Sequence, residues 1–230
     1  MKKKLLLGFF LASAAMLWTR TLPAQNFVRA SGYAAVSVKP DQLKLTVGVI
    51  TQAATAQRSS EDNAAQMEKV LAKLQQVIGS TGDIKTVSYS VAPVYKYNSS
   101  DGTSTLIGYK TTNLAEITTS DLSLGGPLAD AATAAGANTV QSLRFSLKDS
   151  EPVRNEALRQ AARRAREHAE AMASGLGMRT GQVVSAEESS AVKSTVNSSN
   201  RDTTIAVSTP IETGMIEVSA TVIVEMALIP

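Results

Sequence analysis

The chain has 230 residues, 43% of them hydrophobic but only 4% aromatic, with 23 Lys+Arg against 20 Asp+Glu. A core can be buried, but it must be built from Val, Leu, Ile and Ala, so its elements should pack closely. With no cysteine and His168 as the single histidine, the composition excludes disulfides, a thiol nucleophile, a thioether lipid anchor, thiolate metal sites and a histidine-based zinc site.

The first element is an address. Lys2, Lys3 and Lys4 precede LLLGFFLASAAMLW, Leu5 to Trp18, and the exit TLPA ends at Ala24. A positive head, an apolar centre of roughly 7–15 residues and a small residue before the cut describe a secretory signal peptide. It is predicted to cover residues 1–24 and to be removed on export to the periplasm. A membrane span needs about 20 apolar residues, and Arg20 closes this run early. The alternative is an uncleaved signal that anchors the chain. Lys2, Lys3, Lys4 and Arg20 all lie before the cut and no acid does, so the mature chain would carry 19 bases against 20 acids. The net +3 of the whole chain therefore makes no case for a nucleic-acid partner. Residues 25–230 suit one domain, with two subdomains as an option.

From Phe27 to Val38 the chain alternates, and Leu43, Leu45, Val47 and Val49 continue the alternation after Pro40-Asp41. Period two with one polar face predicts half-buried antiparallel strands, and the pair reads as a β-hairpin. The period then changes: Met67, Val70, Leu71, Leu74, Val77 and Ile78 share one helical face, which Gly79 ends. Two strand-like runs follow, Val87 to Tyr97 and Thr105 to Thr119, joined by the turn cluster Asn98 to Gly102. Pro93 cannot donate to a ladder and belongs at a bulge or an edge.

A short helix is predicted over Pro127 to Ala135 and a strand over Val140 to Leu147. A long helix opens at Glu151-Pro152 with Asp149 or Ser150 as cap. Its buried face is read as Val153, Ala157, Ala161, Ala165, Ala169, Met172 and Leu176. Gln182 to Ala186 reads as a short strand. Residues 187–210, rich in Ser, Thr and Asn, read as a mobile loop. In the last strand Ile216, Val218, Ala220, Val222, Val224, Met226 and Leu228 face one way, with Glu217, Ser219, Thr221 and Glu225 opposite. The order argues α+β: a mainly antiparallel sheet of hairpins covered by two long helices and one short one.

The runs SGYAAVSVKPDQLKLTVGV, TVSYSVAPVY, IGYKTTN, AAGANTVQSLRFSLKD, AEAMASGLG and TGMIEVSATVIV together resemble the SIMPL domain family. This is the domain of unknown function 541, to which bacterial 26 kDa periplasmic antigens belong. The resemblance runs from Phe27 to Leu228. It implies an exported α/β-type protein without an established catalytic activity, with links to envelope stress and to self-assembly. It carries no catalytic motif onto any residue.

The residues themselves assign no catalytic, cofactor-binding or metal-ligating position. His168 flanks the alanine face and reads as structural; a serine triad would rest wholly on it. Arg159, Arg163 and Arg166 form a possible anion ridge, neutralised if Glu167 and Glu170, four residues after Arg163 and Arg166, pair with them. Gly175, Gly177 and Gly181 close a helix, whereas a dinucleotide fingerprint must open one. Tyr89, Tyr95, Tyr97 and Tyr109 cluster on the central hairpin and read as packing, with recognition as the alternative. Glu187-Glu188 falls at the loop, where acid–base work could not be held in place. No metal or nucleotide cofactor is expected. The reading is an exported, non-enzymatic cell-envelope protein that acts through its surfaces as a homo-oligomer, with the final strand's edge available to another chain. An envelope or outer-membrane protein partner is a further expectation. The alternative is a periplasmic ligand-binding module or hydrolase whose site forms between subunits.

Overall fold

The alternating apolar runs form strands, and helices cover one face of each of the two sheets they build. A computed structural model describes residues 26–189, 194–197 and 213–230; the predicted signal peptide and its cut lie outside the described residues. The elements are β1 (Phe27–Val38), β2 (Gln42–Ala53), α1 (Ala56–Ile78), β3 (Gly82–Asn98), β4 (Thr103–Thr119), a single 3-10 turn (Leu122–Leu124) and α2 (Gly125–Ala134). They continue with β5 (Thr139–Ser146), α3 (Glu151–Gly175), β6 (Arg179–Glu188), β7 (Ser194–Asn197) and β8 (Met215–Ile229). The class is α+β, but the strands form two antiparallel sheets instead of one. The first has the order β1-β8-β6, with β7 also on β8, and the second β3-β4-β2-β5.

The β1–β2 hairpin expected from the sequence does not form. β1 pairs along its whole length with β8, from Phe27↔Ala227 to Val38↔Ile216, while β2 lies between β4 and β5. Pro40-Asp41 lacks the positive-φ residues of a tight hairpin turn, and the two strands need different covers. β1 presents Ala30, Gly32 and Ala34, whereas β2 presents Leu43, Leu45, Val47 and Val49. The chain therefore crosses from one sheet to the other.

In the first sheet the cover is α3. Ala157, Ala161, Ala165 and Ala169 are fully buried against β1 and β8, facing Val28, Ala30, Ala34, Val222 and Met226 among others, and Ala173, one turn on, is fully buried too. A Cβ at Gly32 would lie 2.1 Å from the Ala161 carbonyl oxygen and 2.3 Å from the Ala165 nitrogen, so helix backbone rests on strand backbone. Met172 and Leu176, placed on this face by the sequence reading, are instead exposed. They are too large for so close an approach, and Ala173 takes the position. Asp149 accepts the Glu151 N–H at 2.9 Å, whereas Ser150 makes no side-chain cap.

In the second sheet Leu43, Leu45, Val47, Val49, Ala115 and Ile117 are covered by Met67, Val70, Leu74 and Ile78 of α1 and by Leu128 and Ala132 of α2. α1 opens at Ala56, well before the apolar repeat begins at Met67, with the Thr55 hydroxyl accepting the Arg58 N–H. Its first half is buried through polar residues. Ser59 Oγ lies 2.8 Å from Thr111 Oγ1, and Asn63 Nδ2 donates to the Val49 carbonyl at 2.9 Å.

Two expectations for the C-terminal region change. β6 extends through Glu188 and β7 occupies Ser194–Asn197, so part of the predicted 187–210 loop is strand; the rest, apart from Ser189, lies outside the described residues. β8 alternates as read, with its even-numbered residues from Ile216 to Met226 buried. It is an interior strand, however, between β1 on one side and β6 and β7 on the other. Its edge is not available to another chain.

Candidate functional site

The strands that border the two sheets differ in how their outer side is protected, and that difference picks out one surface. On β1, two residues one turn apart on α3 reach the outward carbonyls. Arg164 Nη1 donates to the Tyr33 carbonyl at 2.7 Å, and His168 Nδ1 lies 2.7 Å from the Ser31 carbonyl. A carbonyl only accepts, so Nδ1 carries the proton. The sole histidine is thereby a tether for an edge strand, as its structural reading implied. On β6, Glu188 takes two hydrogen bonds from Arg154 Nη2, at 3.0 and 3.1 Å. This holds one member of the Glu187-Glu188 pair on a strand instead of in a loop, and the carboxylate raises the Arg154 guanidinium further above its ordinary value. β5 is short, and just before it Asn138 exchanges two hydrogen bonds of 2.7 Å with the Ile50 backbone.

β3 is different. It has 17 residues, is exposed along nearly its whole length, and among the described residues pairs on one side only, with β4. Its register sets Thr86 opposite Ala115, Tyr89 opposite Asn113, Val91 opposite Thr111 and Pro93 opposite Tyr109, with irregularities at Thr86/Ser88 and Val94/Tyr95. Directly opposed residues share a face, and Thr111 faces Ser59 of α1. Tyr89, Val91, Pro93, Tyr95 and Tyr97 therefore form one row on the helix side. α1 lies over β2 and β4, so this row extends past its cover. Tyr89, Tyr95 and Tyr97 are 57, 58 and 66% exposed. The reading of the tyrosines as packing residues is corrected for these three, whose exposure fits the alternative, a contact surface; of the four, Tyr109 alone is half-buried.

The hairpin also outruns its sheet. Pairing of β2 with β4 ends at Ala53↔Tyr109, so from Val94 to Gly108 the hairpin is two-stranded, with Leu106 and Ile107 exposed beside the tyrosines. Its turn is well tied. Asp101 accepts from the Thr103 hydroxyl at 2.7 Å, the Thr103 N–H at 3.0 Å and Asn98 Nδ2 at 3.0 Å. These bonds, led by the Thr103 hydroxyl, hold the Asp101 carboxyl below its ordinary value. Gly102 takes φ +71°, where a side chain would be strained. At the other end Lys85 Nζ bonds Asp83 at 2.9 Å, which lowers the acid and raises the amine. Between Lys85 and Lys96 the strand carries no charge. Leu71, Ala72 and Gln75 of α1 and Ile84 and Thr86 of β3 line an open cleft beside it.

The other residues singled out in the sequence are dispersed. Arg159 and Arg163 both reach Glu156, at 2.8 and 3.7 Å, and Arg166 reaches Glu170 at 2.8 Å. The ridge is self-paired as expected, except that Arg163 turns to Glu156 and not to Glu167. Gly175 ends α3, Gly177 takes φ +71° and Gly181 lies in β6, so they close a helix into a strand. Among the described residues no group of three or more His, Asp or Glu is placed to hold a metal ion, and no helix is long and apolar enough to cross a membrane.

Comparison with known proteins adds a family to this geometry. A family model described as SIMPL, protein of unknown function (DUF541), matches residues 28–226. An uncharacterized protein YggE of Edwardsiella ictaluri (strain 93-146) is 30% identical over 176 residues, 75% of this chain and 72% of the relative. An uncharacterized protein YggE of Escherichia coli (strain K12) is 29% identical over 167 residues, 71% of this chain and 66% of the relative. The 26 kDa periplasmic immunogenic protein of Brucella melitensis biotype 1 is 26% identical over 171 residues, 73% of this chain and 68% of the relative.

Proposed function

This chain belongs to the SIMPL family, and from that premise we propose that it is an exported cell-envelope protein that self-associates and acts through its surfaces, not by catalysis. Export draws support from the tripartite leader in residues 1–24 and from the relative described as periplasmic. A part in the envelope's response to stress belongs to the same reading.

The observation that carries the proposal is the outer side of β3. A long strand with unpaired backbone groups and exposed apolar side chains is a template for another chain, and apolar patches of this kind mark contact surfaces. Strand addition supplies backbone hydrogen bonds in register and asks for no special side chains. Such a function leaves little trace as a motif. Sedimentation of the mature protein at micromolar concentration tests it. The expected result is a mass that rises with concentration toward a defined multiple of the monomer. One species at the monomer mass, unchanged by tenfold concentration, overturns the proposal.

A further inference from the structure

We infer that β3 pairs antiparallel with β3 of a second copy, in the register centred on Ser90, so that two four-stranded sheets become one. The inference rests on the reading that the chain self-associates and goes beyond it by naming the surface and the register. Three observations on this chain select that occupant.

The first is incompleteness. A two-stranded ribbon is marginal in water without a third strand or a packed face, yet among the described residues the hairpin from Val94 to Gly108 has neither. A third strand on the β3 side supplies both. The second is the absence of charge. Charge, above all lysine, is one way a sheet edge is blunted, and Thr86 to Tyr95 carries none. The edge's other blunting features, Pro93 and the irregularities at Thr86/Ser88 and Val94/Tyr95, flank the stretch Tyr89 to Val91 and leave it open. Pro93 lacks an N–H, so its nitrogen faces the open side. Tyr89 and Val91 have the same parity, and their N–H and C=O groups therefore point outward and are free to exchange hydrogen bonds with another strand.

The third is charge register. An antiparallel pair of identical strands has its two-fold axis perpendicular to the sheet, so residues on the helix side must oppose residues on the helix side. The register with β4 puts Ile84, Thr86, Tyr89, Val91, Pro93 and Tyr95 on that side, with Val87 as the extra residue at the irregularity. Centring on Ser90 then sets Tyr89 against Val91, Thr86 against Pro93, Ile84 against Tyr95 and Asp83 against Lys96, each twice by symmetry. Centring on Val91 sets Lys85 against Lys96, which is repulsive, and centring on Tyr89 opposes no charges. Opposite charges directly across two strands stabilise the pair and like charges destabilise it. Ser90 is thus the centre that the charges favour. In this arrangement Tyr95 of each copy lies over Ile84 of the other, beside the cleft formed with Leu71, Ala72 and Gln75.

The chain has no cysteine, which makes the test clean. At a non-hydrogen-bonded antiparallel pair the Cα atoms are about 4.5 Å apart, within the range of about 4.4–6.8 Å that a disulfide spans. Ser90→Cys in the mature chain, oxidised at micromolar concentration, should form a covalent dimer far faster than Ser37→Cys, an exposed control on β1. Lys96→Asp should raise the dissociation constant roughly tenfold through two like-charge contacts, and Asp83→Lys with Lys96→Asp should restore it. If the unmodified chain associates but Ser90→Cys does not cross-link and the double exchange does not rescue, this register is wrong and self-association stands. If the unmodified chain stays monomeric at every concentration and Ser90→Cys stays unlinked, both fall.

Discussion

The two sheets of this chain cover one face with helix by opposite means. The first uses contact without bulk: four alanines of α3 lie on β1 and β8, and Gly32 lets backbone meet backbone. The second uses bulk, with Leu, Val and Ile from β2, β4, α1 and α2 interlocked over a wider gap. The borders differ in the same way. α3 sits close enough to β1 for Arg164 and His168 to occupy its outward carbonyls, whereas α1 meets β3 only near its start, at Ile84 and Thr86, and among the described residues leaves the strand exposed from Tyr89 to Pro93. A helix laid close to a sheet guards the edge it reaches. A helix held off by large side chains over the middle of a sheet does not.

The sharpest way to break this comparison is to enlarge the close contact. Gly32→Leu should destabilise the chain by more than about 3 kcal/mol, because backbone atoms of α3, not a flexible side-chain tip, would have to move. The midpoint of urea unfolding measures it, and a loss below 1 kcal/mol would mean that α3 is not seated as described. The reciprocal change is truncation in the bulky layer. Leu74→Ala, at a fully buried position, should cost about 3 kcal/mol by the same measurement.

Removing the guard is a smaller perturbation. Arg164→Ala and His168→Ala should each cost about 1 kcal/mol or less, the net worth of one hydrogen bond at an exposed site. Together they should also make β1 exchange its outward amides faster and raise the tendency to aggregate, read by light scattering. No change in either would show that the tethers protect nothing. The smallest effect concerns the hairpin turn. Asp101 is held below its ordinary value near 3.8, so its contribution is complete above that value and is lost as pH falls through the lowered one. The Thr103 amide resonance should therefore stay constant from neutral pH down to about 4 and move only below it.

Much of this was legible in the sequence because it is local. The alanine repeat of α3, the alternation of β8, the β3–β4 hairpin and the family resemblance all survive. What failed depended on distant parts of the chain. Nothing near Pro40 shows that β1 pairs with β8 at the other end of the sequence. The first half of α1 was invisible because Ser59 and Asn63 are buried by hydrogen bonding and not by hydrophobicity. Tyr89, Tyr95 and Tyr97 were singled out, but whether a tyrosine on a strand is covered depends on where a helix lies above it. α1 is seated on the large side chains of β2 and β4 and meets β3 only near its start, at Ile84, which nothing in the tyrosine stretch itself reveals.

β3 is thus an open edge and β1 a guarded one. Amide hydrogen exchange of the mature protein, followed residue by residue over a range of concentrations, tests it directly. Tyr89 and Val91 should exchange freely when dilute and gain about tenfold or more in protection as the mass rises, while the outward amides of β1 do not change. Association that leaves Tyr89 and Val91 unprotected, or that protects β1 instead, would contradict it.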